Sequence, residues 1–232
     1  MTPHTEPRSR RERPAKPALS RAGILAAAME IMRAEGLPKV TMRRLAQELD
    51  TGPASLYVYV ANTAELHAAI LDELLGTLAA PAEGGWHERL EALLTEYTTV
   101  LFAHPALARS ALVARPSGPH YLGLIETLLT LLAQGGVPDR QAAWGVDVLL
   151  QYATATAAEH ATRGETADTR DEWDALTRAL HGAEERTHPR TAALAAELLS
   201  GTPQQRLSWG LRVQIAGVLH TPAPQSTEGA TS

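Results

Sequence analysis

The chain has no cysteine, so it builds no disulfide framework, no thiolate metal site and no cysteine nucleophile. No apolar run is long enough to cross a bilayer, which argues against a membrane partner. The N-terminus is rich in arginine and proline and carries no apolar segment of the signal-peptide kind, which predicts a cytoplasmic protein. Catalytic signatures are missing too: there is no HExxH, no glycine-rich phosphate loop and no GxSxG. The nine histidines are scattered, so no catalytic set, metal site or cofactor is expected. Neither a strand candidate nor an internal repeat is visible.

What is present is a chain of 232 residues, 44% hydrophobic and 20% charged, long enough for one or two domains with real cores. The net charge of -5 is unevenly placed. Residues 1–44 hold ten basic groups against four acidic ones, a net of +6, which leaves the rest of the chain at −11. A basic head on an acidic body suggests that only the head meets a polyanion, because phosphate neutralisation is local and screened.

Residues 1–19 hold four prolines and almost no large apolar side chain, and read as a disordered basic arm or a solubilising tail. From Ser20, a good N-cap, Ile24, Ala28, Ile31 and Met32 recur at helical spacing until Gly36. Thr41 can cap a second helix in which Met42, Leu45, Ala46 and Leu49 form one stripe, leaving Arg43, Arg44 and Gln47 outward. Asp50-Thr51-Gly52 then makes a turn, and Pro53 restarts the chain at a helical first position. Between Pro53 and Val60 only Leu56 and Val60 share a buried face. Asn62 and Glu65 have capping-box spacing and open a fourth helix, with Leu66, Ile70, Leu74 and Leu78 on one face as far as Pro81.

Two short helices joined by a three-residue turn make a helix-turn-helix. A helix of about two turns is too short to be stable alone, but it fits a major groove while its neighbours hold it. Ser55 offers a hydroxyl to a base edge or a phosphate, and the Tyr57 and Tyr59 phenols suit phosphate oxygens. Thr41, Arg43 and Arg44 stand at the start of the preceding helix, where they can pin the DNA backbone. A small helical subdomain with two ordinary tyrosines fits the spacing equally well.

The run TMRRLAQELDTGPASLYVYVANTAEL, preceded by AAAMEIMRAEG, resembles the N-terminal domain of the TetR family of transcriptional regulators over about residues 20–75. The resemblance implies an all-α protein. A helix-turn-helix DNA-binding domain at 20–66 would precede a ligand-binding and dimerising domain at 67–220, linked by the helix at 62–78, with a disordered tail at 221–232. It implies a homodimeric repressor of double-stranded operator DNA that is released by a small-molecule ligand. It also implies DNA-facing positions for Thr41, Arg43, Ala54, Ser55, Tyr57, Val58, Tyr59 and Thr63. Arg44, the turn residues Thr51, Gly52 and Pro53, and the cap Asn62 complete the candidate set. Three residues depart from the family pattern: Thr63 stands where a lysine is usual, Val58 where a larger polar or aromatic residue is common, and Asp50 where the turn often has glycine.

Beyond the head the chain is helical in pattern. Trp86, Leu90, Leu93, Leu94, Tyr97, Val100 and Leu101 describe one amphipathic helix, stopped at His104-Pro105, and a short one follows over Ala106 to Ala114. Tyr121 to Ala133 is apolar all round, which predicts burial among other helices. A helix from Asp139 to Ala161 is rich in small residues, and Arg163 to Thr169 reads as a loop. Helices then start after Thr169 and at Pro189, and Thr202, Pro203 and Gln205 open a last one reaching Leu219.

Tyr97, Phe102, His104, Tyr121, Trp144, Asp147 and Gln151 bring aromatic or polar groups to otherwise aliphatic helices, and are the candidates for an effector pocket that would take a small, largely apolar molecule. The small-residue faces around Ala153 and Ala157, and the positions Gly210, Leu211, Gln214, Gly217 and Val218, are the candidates for a dimer interface built as an intermolecular four-helix bundle. A structural helical dimer without specific DNA binding and a helical enzyme remain alternatives.

Overall fold

The computed structural model describes residues 18–165 and 168–224. Most of the basic arm, Thr166, Ala167 and the tail from Gln225 lie outside the described residues. Every regular element described is helical. The chain divides into two compact units, one ending at Ala61 and one beginning at Asn62.

The first unit holds α1 (Arg21–Glu35), a 3-10 turn (Leu37–Lys39), α2 (Met42–Glu48) and α3 (Pro53–Leu56). Ser20 caps α1 by accepting from the Gly23 N–H at 3.1 Å, and Thr41 caps α2 by accepting from the Arg44 N–H at 3.1 Å. Ile24, Ala28, Ile31 and Met32 are buried on α1, and Met42, Leu45 and Ala46 on α2. Asp50 adopts φ 47, the left-handed conformation that ends α2 and turns the chain toward α3.

The second unit comprises α4 (Thr63–Leu75), α5 (Trp86–Ala103), α6 (Pro105–Ala111), α7 (Pro119–Gln134), α8 (Asp139–Glu165), α9 (Asp168–His181), α10 (Pro189–Leu199) and α11 (Pro203–His220). α8 is its axis, packed by α5, α6, α7 and α11, while α4 lies against α6 and α7. α9 and α10 pack on one another as a hairpin and leave Trp173, Leu176, Leu194 and Leu198 exposed.

Several expectations need correction. The fourth helix stops at Leu75, and its buried face is Leu66, Ala69, Ile70, Leu71, Asp72 and Leu75, with Leu74 and Leu78 only half-buried. α7 is not buried all round, since Leu122 is exposed and Ile125 and Leu129 are half-buried. The stretch read as a loop at Arg163 to Thr169 is helical up to Glu165 and again from Asp168.

The small residues of α8 and α11 pack within one chain. Ala153 and Ala157 have no exposed surface, and Gly210, Leu211 and Val218 are buried with them. A Cβ on Gly210 would collide with the Tyr152 hydroxyl, and one on Gly145 would come 2.5 Å from Val218 Cγ1. The Gln141 side-chain amide donates to the Val218 and Leu219 carbonyls, tying the two helices further. Four of these five residues thus lie inside the chain, and Val218 also borders the cavity that Trp144, Val148, Gln214 and Gly217 line. Gly217 is exposed and Gln214 half-buried. The outward side of the same pair instead presents Trp144 and Val148 on α8 and Trp209 and Val213 on α11, all exposed.

Candidate nucleic-acid interface and effector cavity

In the head, Leu56 and Val60 are the buried anchors of the third helical segment. Between and before them Ala54, Ser55, Tyr57, Val58 and Tyr59 are all exposed, with Val58 at 79%. The α-helix is a single turn rather than two. Tyr59 N–H bonds to the Leu56 carbonyl at 2.9 Å and Val60 N–H to the same carbonyl at 3.0 Å, so the chain tightens after Leu56. The run Tyr57-Val58-Tyr59-Val60 explains this, because aromatic and β-branched side chains lose rotamer freedom in a helix.

Gly52 and Pro53 are exposed and Thr51 is half-buried. Thr41 and Arg43 are exposed, and no described carboxylate pairs with Arg43. Arg44 is different: its guanidinium is 2.7 Å from Glu35 Oε1 and 2.7 Å from Glu48 Oε2. The bond to Arg44 holds the Glu35 carboxyl below its ordinary range. Arg44 is thus an internal tie of the head, a role that charge counting did not separate from DNA contact. At the start of the second unit Asn62 caps α4, its Oδ1 accepting from the Glu65 N–H at 2.9 Å, with Thr63 exposed beside it.

In the body, a cavity of ≈ 80 Å³ is lined by Tyr97, Ala111, Leu112, Arg115, Pro116, Tyr121, Leu150, Gln151 and Thr154. Three of the seven expected pocket residues, Tyr97, Tyr121 and Gln151, meet there. Tyr97 Oη and Thr154 Oγ1 are 2.8 Å apart in the buried wall, and burial pushes the Tyr97 phenol up to about 12. Burial also raises the Tyr121 phenol. Asp147 lies outside the lining and binds Arg115 Nη1 through Oδ1 at 2.5 Å. Arg115 and Thr154 complete the lining without any sequence signal for that place. Arg115 sits between α6 and a Pro-Gly break, where an arginine reads as an ordinary surface charge.

The other expected wall residues lie elsewhere. The Phe102 and His160 rings lie tilted against one another with their centroids 4.8 Å apart, and His104 ends α5 half-buried, where burial lowers its pKa. Trp144 is half exposed and lines a different cavity, of ≈ 390 Å³, with Gln141, Val148, Gln214 and Gly217, and the Arg140 guanidinium lies over its ring at 5.3 Å. A further cavity of ≈ 230 Å³ lies among α4, α5 and α7 around His120 and Thr127. Among the described residues no group of three or more acidic or histidine side chains is placed to hold a metal, and no helix is long and apolar enough to cross a membrane.

Two side chains of α4 reach the helices around the first cavity. His67 Nδ1 is 2.7 Å from Ser110 Oγ on α6, and the buried Asp72 carboxylate accepts from the Tyr121 N–H on α7 at 2.8 Å. Asp72 is a lone acid in an apolar stripe, which gives no sequence signal of what it meets.

A helix-turn-helix head with an exposed third segment, followed by a body whose described elements are all helical and which holds a cavity, is the arrangement of a helix-turn-helix regulator. Residues 24–70 match the tetR family of bacterial regulatory proteins, and residues 78–221 match the tetracyclin repressor-like C-terminal domain. The chain belongs to the TetR family. A candidate transcription regulator from Streptomyces coelicolor, SCO7704, is 59% identical with a TM-score of 0.79, over 91% of this chain and 100% of that one. ActR from Streptomyces coelicolor, solved in complex with actinorhodin, is 35% identical with a TM-score of 0.73, over 88% of this chain and 96% of its own. The transcriptional repressor DrrR1 from Streptomyces coeruleorubidus is 37% identical over 127 residues, 53% of this chain. That match spans 47% of DrrR1, so the chain covers about half the length of this curated relative.

Proposed function

We propose that the protein is a homodimeric transcriptional repressor that reads operator DNA through Ser55, Tyr57, Val58 and Tyr59 and leaves it when a small molecule binds the cavity at Tyr97 and Tyr121. The observation that carries the DNA-binding part is the division of labour at the third helical segment: Leu56 and Val60 are buried, while Ala54, Ser55, Tyr57, Val58 and Tyr59 stand free for a groove. The positive charge of residues 1–44 supports the same reading. That ActR was crystallised with actinorhodin supports a body that accepts a small molecule.

Two copies are needed because successive major grooves on one face of DNA are about 34–36 Å apart, a spacing that one small head cannot span. The exposed apolar face of Trp144, Val148, Trp209 and Val213 is the surface the second copy would cover. Release would run through α4, the first helix after the head in the chain, which His67 and Asp72 tie to α6 and α7. A ligand can shift that equilibrium only by its differential affinity for the two arrangements.

Selection of bound fragments from genomic DNA by the full-length protein, followed by titration of the recovered site, tests the reading. It expects one palindromic or near-palindromic site, bound far more tightly than scrambled DNA at physiological salt. Equal affinity for both would remove it.

A further inference from the structure

We infer that the effector is an organic acid, an aromatic body bearing one carboxylate that Arg115 captures in place of Asp147. This rests on the reading of the Tyr97–Tyr121 cavity as the effector site. A wholly apolar molecule would fit that cavity poorly. Its lining places a guanidinium, a carboxamide and three hydroxyls around Ala111, Leu112, Pro116 and Leu150. Covering those polar groups without giving them partners is unfavourable.

Arg115 is the cation in that lining. Its present partner, Asp147, is outside the cavity, and both side chains are more than half exposed. Ion pairs in such settings contribute little, so an incoming anion competes easily and Asp147 returns to water. The guanidinium fork offers five donors, and the contact with Asp147 is made by Nη1 alone, which leaves an edge suited to a bidentate carboxylate. The Tyr97 and Tyr121 phenols, both raised in pKa, stay neutral near pH 7 and set no like charge against the ligand. Their rings and the apolar side chains receive the aromatic body, while the Tyr97–Thr154 pair keeps hydroxyl capacity for an oxygen of the ligand. At ≈ 80 Å³ the space is smaller than the roughly 150 Å³ that takes up benzene, so entry requires Arg115 at the rim to part from Asp147 and move aside.

Calorimetric titration of the full-length protein at pH 7 with benzoate and 2-naphthoate, each beside its neutral primary amide, tests this. At least one acid should bind more than tenfold tighter than its amide. Arg115→Gln should abolish that preference, Arg115→Lys should keep part of it, and Asp147→Asn should strengthen acid binding severalfold. Both Arg115 variants should melt within a few degrees of the parent, since the side chain is on the surface. Equal affinity for acid and amide, a preference that survives Arg115→Gln, or no binding of either acid overturns the inference. Operator release is followed in parallel. An acid that binds through Arg115 without releasing DNA leaves the ligand class standing and removes the coupling; release by a neutral compound, indifferent to Arg115→Gln, does the reverse.

Discussion

The carboxylate of Asp72 receives the backbone N–H of Tyr121 at 2.8 Å, so an acid on α4 completes the N-terminus of α7. Gly118, the residue before α7, has no side chain to do so, and a Cβ there would collide with that same carboxylate. The first turn of α7 carries no acid of its own, so the buried Asp72 supplies the negative charge that free helical N–H groups favour. Tyr121 also lines the cavity, which makes this bond a direct tie between the cavity wall and α4.

Gly118→Ala should therefore destabilise the body by about 1–3 kcal/mol, as overpacking at a closed contact does. Gly217→Ala, with open space around it, should be close to neutral in the same thermal or urea melts. Asp72→Ala should cost about 1–2 kcal/mol as a lost cap and weaken the effect of any effector on operator affinity, whereas Asp72→Asn, still an acceptor, should lose less of both.

At the head, Arg43 and Arg44 should separate. Arg43→Ala should lower the slope of log affinity against log salt by about 1, the loss of one phosphate contact. Arg44→Ala alone exposes Glu35 and Glu48 to the DNA and should weaken binding, but the triple variant Arg44→Ala, Glu35→Gln, Glu48→Gln should recover most of it. Failure of the triple variant to recover would mean that Arg44 itself contacts phosphate.

The subunit contact should lie on the outer face of α8 and α11. Val148→Glu with Val213→Glu, both at exposed positions, should leave the helical content intact while light scattering shows a monomer and operator affinity falls more than tenfold. Ala153→Arg, placed in a fully buried position, should instead fail to fold.

Acid should loosen the body. Burial lowers the His67 and His104 imidazoles below the ordinary 6.5, so the unfolded chain binds these protons first as pH falls. Stability is then full above about 6.5 and declines below it until the folded-state values are reached. His67→Gln should flatten the fall in denaturation midpoint between pH 7 and 5; an unchanged slope would assign it to other groups.

The caps were the most legible part of the sequence. Ser20, Thr41, Asn62 and Thr202 each accept the N–H three residues on, because a cap is a local event between neighbours in the chain. Leu56 and Val60 were legible for a similar reason, as the apolar pair in a short segment between two breaks. Pairings over long separations were not. Small residues on α8 and α11 announce close approach without saying to which helix, and they approach one another within the chain, as Gly145 and Val218 do. An aromatic on an amphipathic helix is equally suited to a pocket wall or an outer face, and Trp144 is both, half exposed and lining a cavity of ≈ 390 Å³ between α8 and α11 rather than the one at Tyr97. Arg115 could not be assigned because its neighbours in space, Asp147 and Tyr121, come from two other helices.

The third helical segment has a consequence for how such a protein can change. Its fold hangs on Leu56, Val60 and the left-handed Asp50, while the five residues around them are exposed, Val58 most of all. Vocabulary and grammar are thus held by different side chains. A library randomised at Ala54, Ser55, Tyr57, Val58 and Tyr59 would retain its scaffold in most members, so a new target sequence can be acquired in single steps, each tried out on a head that still folds.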